Sequence, residues 1–205
     1  MFVKIGLFGG TFDPVHYGHL LLAERCREAL DLDQVRFIPA ADPPHKDRDD
    51  LTDGVVRAEM LEFATAGNPH LVVDRRELHR SGPSFTVDTL AGWKAEQPED
   101  DLYFLMGADS LVDLPTWRQP ERIVELATIV AVNRGDEPLP DPASLVALLG
   151  EKIAAKVRFV TIPGMTLSAT ELRERARLGR SLRYTMPAAV IAYIEDKRLY
   201  RAGDS

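Results

Sequence analysis

A glycine pair set between an apolar run and a histidine-rich turn constrains this chain more than any other feature. The stretch reads Gly6-Leu7-Phe8-Gly9-Gly10-Thr11-Phe12-Asp13-Pro14-Val15-His16-Tyr17-Gly18-His19-Leu20. Phe2 to Phe8 is a short apolar run of the kind that forms a buried parallel strand. Gly9 and Gly10 then let the backbone turn sharply and approach a ligand without side chains in the way. Pro14 suits the entry to a helix, and the apolar run from Leu20 predicts that helix. A helix N-terminus after such a turn attracts anions, because its unpaired N–H groups point outward and the helix dipole favours negative charge. If the turn is helical, His16 and His19 share one face, and two imidazoles there can donate to phosphate oxygens. Gly18 removes bulk where a nucleotide would need room. Each feature alone has a plainer reading, as a turn or a surface histidine; their order after a strand is what carries weight.

Strand-like and helical patterns alternate along the rest of the chain, which predicts an α/β architecture, doubly wound around a mostly parallel sheet with helices on both faces. Strands are expected at Gln34 to Pro39, Leu71 to Asp74, Leu102 to Met106, Thr128 to Val132 and Val157 to Ile162. Helical spacing appears over Arg57 to Ala66, from Ser84 or Thr86 to about Glu96, over Leu145 to Ile153, after Ser168, and over Pro187 to Leu199. With 205 residues, 45% of them apolar, the chain suits a single domain over 1–205. Cys26, the only cysteine, aligns with Leu22 and Ala29 on the expected core face of the first helix. It therefore reads as a small hydrophobe, and no disulfide framework or zinc site is available. A net charge of −7 argues against nucleic-acid and membrane-surface partners, so anionic substrates must be drawn by local basic groups. No stretch reads as a signal peptide or membrane span, and the cytoplasm is the expected compartment.

Several loops at strand ends carry polar or basic groups suited to a nucleotide. After the second strand comes Ala40-Ala41-Asp42-Pro43-Pro44-His45-Lys46, where the Pro-Pro pair can fix the reach of Lys46 towards an anion. The plain alternative is a solvated loop. In Ser81-Gly82-Pro83-Ser84-Phe85-Thr86, Ser84 or Thr86 can cap the following helix, whose N-terminus would also face an acidic substrate. Asp109, just beyond the strand that ends near Gly107, can accept from ribose hydroxyls or cap the next turn. Trp117, held by Pro115, offers a flat face to a pyridinium-like ring, although burial alone would explain it. Ser168 followed by Glu171 fits a capping box, which places Thr170 and Arg173 at a third helix start able to hold a polyphosphate. The basic Gly179 to Tyr184 segment is a candidate to close the site.

The His-x-Gly-His stretch resembles the first signature of the nucleotidyltransferase superfamily, and Leu167-Ser168-Ala169-Thr170-Glu171-Leu172-Arg173 resembles its second, usually Ile-Ser-Ser-Thr-x-Ile-Arg. The Pro-Pro-His-Lys loop, the Gly82 to Leu90 segment and Leu-Pro-x-Trp resemble bacterial nicotinate mononucleotide adenylyltransferases. Two departures stand out: Phe85 replaces a usual tyrosine, and Ala169 lacks a usual hydroxyl. The resemblance implies a Rossmann-like fold and transfer of AMP from ATP to nicotinate mononucleotide, with Mg²⁺ carried on ATP rather than held by a protein metal site. It further implies that His16, His19, Lys46 and Arg173 act in catalysis. ATP would be bound by Gly9, Gly10, Thr11, Phe12, His16, His19, Gly107, Asp109, Arg134, Ser168, Thr170 and Arg173. Lys46, Ser84, Thr86 and Trp117 would bind the mononucleotide, with Trp117 as platform for the ring. Pantetheine-phosphate adenylyltransferase shares both signatures and is the nearest alternative enzyme, while a class I aminoacyl-tRNA synthetase would need a further domain. A nucleotide-sensing module without turnover is the non-enzymatic alternative, and whether the chain forms a homo-oligomer is left open.

Overall fold

In the computed structural model, which describes residues 3–43, 51–135 and 139–201, every expected apolar run becomes a strand of one sheet. The strands are β1 (Lys4–Gly10), β2 (Gln34–Pro39), β3 (Leu71–Val73), β4 (Asp101–Gly107), β5 (Thr128–Arg134) and β6 (Val157–Ile162). All five neighbouring pairs are parallel, in the order β3-β2-β1-β4-β5-β6. The chain therefore starts at the centre, moves out to β3, and returns to lay β4 against the other side of β1. That reversal makes the β1–β4 junction the switch point of the sheet, where a crevice opens at the strands' carboxyl ends.

Among the described residues eight α-helices flank the sheet: α1 (Tyr17–Leu30), α2 (Gly54–Thr65), α3 (Thr86–Glu96), α4 (Pro120–Leu126), α5 (Pro142–Leu149), α6 (Glu151–Ala154), α7 (Ala169–Arg177) and α8 (Ala188–Asp196). Alternation along the strands divides their side chains between two cores. Phe8, Val35, Phe37, Leu105, Val130 and Val160 bury one face under α1, α2, α7 and α8, through Leu22, Cys26, Met60, Leu61, Leu172 and Val190. Ile5, Leu7, Phe104, Met106, Ile129 and Ala131 bury the other under α3 to α6, through Leu90, Trp93, Ile123, Leu145 and Ile153. Burial on both faces is what requires strands this apolar.

Four local expectations are corrected. The first helix begins at Tyr17 rather than at Leu20, and Pro14 precedes it in a turn with a cis Asp13–Pro14 bond. Cys26 is fully buried as expected, with burial pushing its thiol up to about 12, but its core-facing companions are Leu22 and Ala23; Ala29 is exposed. The helix expected over 145–153 is broken in two at Gly150, whose φ of 78° is a left-handed value that suits glycine. Neither Ser84 nor Thr86 caps α3, whose N-cap is Phe85 with no side-chain cap bond. Ser168 does cap α7, accepting from the Glu171 N–H at 3.1 Å.

Candidate active site

Two adjoining cavities open at the switch point, of about 410 and 300 Å³, and share Gly9, Gly10, Thr11, Phe104, Ser110 and Trp117 in their walls. The smaller also takes in Phe12, His19, Gly107, Asp109 and Ala169; the larger takes in Ser84, Phe85, Thr86, Glu77, Thr89 and Arg118. They form one two-lobed cleft with the glycine turn and Trp117 between the lobes.

His16 is the N-cap of α1 and His19 lies one turn inside it, so the two imidazoles stack with ring centroids 3.7 Å apart and planes at 24°. The backbone N–H of His16 donates to Nδ1 of His19 at 3.2 Å. That bond assigns the neutral tautomer of His19: Nδ1 accepts, so the ring proton sits on Nε2 and can be donated. His16 itself is buried, 4% exposed, and does not reach either cavity wall. The glycine between them makes room for the His16 ring. A Cβ on Gly18 would lie 3.0 Å from Cε1 and Nδ1 of the His16 ring, so any side chain there would displace it. Phe12 turns the chain with φ 51° and sinks its ring, 2% exposed, among Phe8, Phe37 and His19.

A buried arginine that the sequence pattern did not single out braces these loops. Arg57, on α2, is 1% exposed and donates to the carbonyls of Thr11, Ala40 and Thr52, each at 2.7 Å. Burial pulls its pKa down, against the opposing fields of Asp13 and Asp53. Asp13, also buried, accepts from the Thr52 N–H at 3.2 Å and from the Tyr200 hydroxyl at 2.5 Å. Burial, and then the charge of Asp13, drive the Tyr200 phenol far above its ordinary value. Arg173, in α7, donates from Nη1 to the Asp13 carbonyl at 2.8 Å, which brings the second signature against the first.

The larger lobe is organised by a second buried group without a sequence signal. Glu77, 6% exposed, accepts from the Thr89 hydroxyl at 2.5 Å and also hydrogen-bonds Ser84. Burial raises its pKa, opposed by those two hydroxyls and by Arg80. Ser84 in turn accepts from the N–H groups of Ala41 and Asp42, at 3.1 and 3.3 Å, and its own N–H donates to the Asp42 carbonyl at 2.8 Å. This is why Ser84 is not a cap: its donors come from the loop after β2. Trp117 is half-buried, edge-on to Phe104 with centroids 5.9 Å apart.

Other expected site residues are placed less centrally. Asp109 is exposed and lies within a 3₁₀ turn over Ala108–Val112, two residues past its N-cap Gly107, so it is not the cap. Ser168 and Thr170 are exposed at the start of α7, beside the cavity-lining Ala169. Gly179 to Arg183 line a separate cavity with Ile191 and Ile194 at the far end of α7, so that basic segment does not close the cleft. Lys46 lies outside the described residues, and Arg134, at the end of β5, is described by its backbone alone. Among the described residues no three His, Cys, Asp or Glu side chains gather into a cation site, and no helix is long and apolar enough to cross a membrane.

A family model described as cytidylyltransferase-like matches residues 7–175. Among curated proteins, the chain is 45% identical over 200 residues to a Thermus thermophilus protein, covering 97% of this chain and all of that one. It is 40% identical over 202 residues to one from Geobacillus thermodenitrificans, covering 98% of this chain and 88% of its relative. Both relatives carry the description "probable nicotinate-nucleotide adenylyltransferase". Among solved structures, the nicotinic acid mononucleotide adenylyltransferase of Plasmodium falciparum in complex with NaAD superposes with a TM-score of 0.80 at 21% identity, over 97% of both chains. At that identity the likeness speaks for the fold.

Proposed function

The chain belongs to the cytidylyltransferase-like family of nucleotidyltransferases, and from that premise we propose that it transfers the adenylyl group of ATP to nicotinate mononucleotide, giving deamido-NAD and pyrophosphate. The observation that carries the reading is the two-lobed cleft at the β1–β4 switch point, with the glycine turn and Trp117 shared between the lobes, His19 in the smaller and Phe85 in the larger.

In this reading the smaller lobe takes ATP. Gly9, Gly10 and Thr11 leave the backbone close to the phosphates, and His19 donates from Nε2 towards the α-phosphate. His16 acts behind it, stacked on the His19 ring and supplying the N–H that fixes its tautomer. Arg173, with the N-terminus of α7 and the hydroxyls of Ser168 and Thr170, faces the β- and γ-phosphates, while Asp109 accepts from the ribose. Gly107 and Arg134, at the ends of β4 and β5, are assigned to the nucleotide. The larger lobe takes the mononucleotide, with Trp117 as a flat platform, Thr86 as a donor and Ser84 holding the wall beside it through its bonds to Glu77 and to the loop after β2; Lys46 is assigned to its phosphate.

A phosphate oxygen of the acceptor attacks the α-phosphorus, a P–O bond forms there, and the bond to the leaving pyrophosphate breaks. The acceptor phosphate is already ionised near neutral pH, so no general base is needed. Rate comes from in-line alignment and from donors aimed at the charge building on the transferring and leaving groups. Mg²⁺ enters with ATP as part of the substrate, held by phosphate oxygens and water, and shields the triphosphate. The direct test is pyrophosphate release from ATP with nicotinate mononucleotide, nicotinamide mononucleotide or phosphopantetheine as acceptor. Turnover with the pyridine nucleotides supports the reading; turnover with phosphopantetheine alone overturns it.

A further inference from the structure

The larger lobe contains one basic and one acidic side chain among the described residues that line it, Arg118 and Glu77. Glu77 is buried and tied to Thr89 and Ser84. Arg118 is its opposite in setting as well as in sign. It follows Trp117 directly, its guanidinium carbon lies 4.8 Å from the centroid of the Phe85 ring, and both residues face the cavity. Nη1 donates to the Asp88 carboxylate at 3.4 Å, in a pair whose side chains are 49% and 42% exposed. An ion pair that exposed is weak and easily exchanged, and it engages one of the five N–H donors of the guanidinium. The stack on Phe85 holds the planar group in place without using the others.

Resting on the reading of this lobe as the mononucleotide site, we propose that Arg118 is the side chain that selects the pyridine carboxylate over the carboxamide. The two acceptors differ only at that substituent, where one carries a carboxylate with a full negative charge and the other a neutral amide with an NH₂ in place of one oxygen. Neutral N–H and hydroxyl donors meet an oxygen in either case, and they discriminate only through the mismatch of the amide NH₂. A guanidinium responds to the charge itself, and its fork matches a carboxylate with two parallel bonds. The chain needs such a group here, because it is acidic overall at −7 and the only other ionisable wall residue described is a carboxyl. Burial favours the neutral form of Glu77, which reduces the field that would oppose an anionic ring substituent.

The test compares wild type, Arg118→Gln and Arg118→Lys with each mononucleotide at saturating ATP. Arg118→Gln should raise the KM for nicotinate mononucleotide about tenfold, the loss of one charge-assisted pair at a half-exposed site, and leave the KM for the amide and for ATP within about twofold. Arg118→Lys should recover part of the preference, since it keeps the charge and loses the fork. An unchanged ratio between the two acceptors in Arg118→Gln, or an equal rise with both, overturns the proposal, the second by making Arg118 a plain part of the wall. Failure of the underlying reading would show separately, as a wild-type protein that turns over neither pyridine nucleotide.

Discussion

Arg57 reaches the carbonyl of Thr11 at 2.7 Å from 46 positions further along the chain. The same guanidinium holds the carbonyls of Ala40 and Thr52, so one buried cation fixes the turn after β1, the exit of β2 and the approach to α2. Thr11 and Ala40 both line the larger lobe, and Thr11 lines the smaller as well. The spacing of the two lobes thus depends on a side chain that touches neither ligand in the proposed scheme.

Replacing Arg57 by Met would take its guanidinium, a buried group bonded to three part-buried carbonyls, out of the loops it ties together. Each charge-assisted bond lost costs about 1–3 kcal/mol, and water and local relaxation recover much of it, so a loss of about 3 kcal/mol is expected. For a chain of this size that lowers Tm by about 6–12 °C. Arg57→Lys should recover only part, because an ammonium cannot span three carbonyls in one plane. Urea unfolding would measure both, and a loss under about 1 kcal/mol for Arg57→Met would remove the bracing role.

The tautomer assigned to His19 gives a sharper test than simple deletion. Losing a preorganised donor at the transferring phosphoryl group should lower kcat about 10²–10³-fold in His19→Ala. A glutamine amide can place an N–H near the position of Nε2 while giving up the acceptor at Nδ1. His19→Gln should therefore be faster than His19→Ala by about tenfold or more, with the difference in kcat rather than in the KM for ATP. Equal rates for the two variants would mean that Nε2 is not the working donor.

The sheet, the glycine turn and the capped start of α7 were legible because each is written in neighbouring residues: apolar runs, Gly9-Gly10, and Ser168 with Glu171. What the sequence hid was built from distant partners. Arg57 looks like one more residue of an amphipathic helix until its three carbonyls, 5 to 46 positions away, are brought together. Tyr200 and Asp13 are 187 positions apart, and nothing local marks either as a partner. Ser84 was open to misreading for the same reason, since capping is the local use of a serine there and its actual donors lie 42 and 43 positions back. Glu77 sits in a charge-dense stretch that reads as solvated surface; only the turn that packs it against α3 buries it.

Glu77 gives a pH-dependent prediction with a definite sign. Burial raises its folded pKa above the unfolded value of about 4.3, so the folded state binds its proton more tightly than the unfolded state. Its contribution to stability is therefore fully present below about pH 4.3 and is lost as pH rises through the higher folded value. Glu77→Gln cannot titrate. The stability of Glu77→Gln relative to wild type should accordingly rise with pH across that window and level off above it. Subtracting the two unfolding curves at matched pH removes the titrations they share, and a flat difference would show that the carboxyl is not held in its protonated form.

Trp117 and Arg173 test how the cleft is divided. Arg173 is tied to the Asp13 carbonyl at 2.8 Å, on the side of the phosphate turn, whereas Trp117 lines both lobes. Removing Arg173 should cost about 1.5–3 kcal/mol of charge-assisted hydrogen bonding, a rise of roughly 10- to 150-fold in the KM for ATP with little change for the mononucleotide. Removing Trp117 should raise the mononucleotide KM through lost stacking of about 0.5–1.5 kcal/mol plus contact area. Because the indole wall is shared, the KM for ATP should rise as well, by less. Ala169, on the wall of the smaller lobe, supplies the mildest perturbation: Ala169→Ser adds a hydroxyl beside the phosphates and should leave ATP affinity unchanged or slightly better. Were Arg173→Ala to change only the mononucleotide KM, the two lobes would have to exchange ligands, and the donors assigned to His19 and Thr86 would exchange with them.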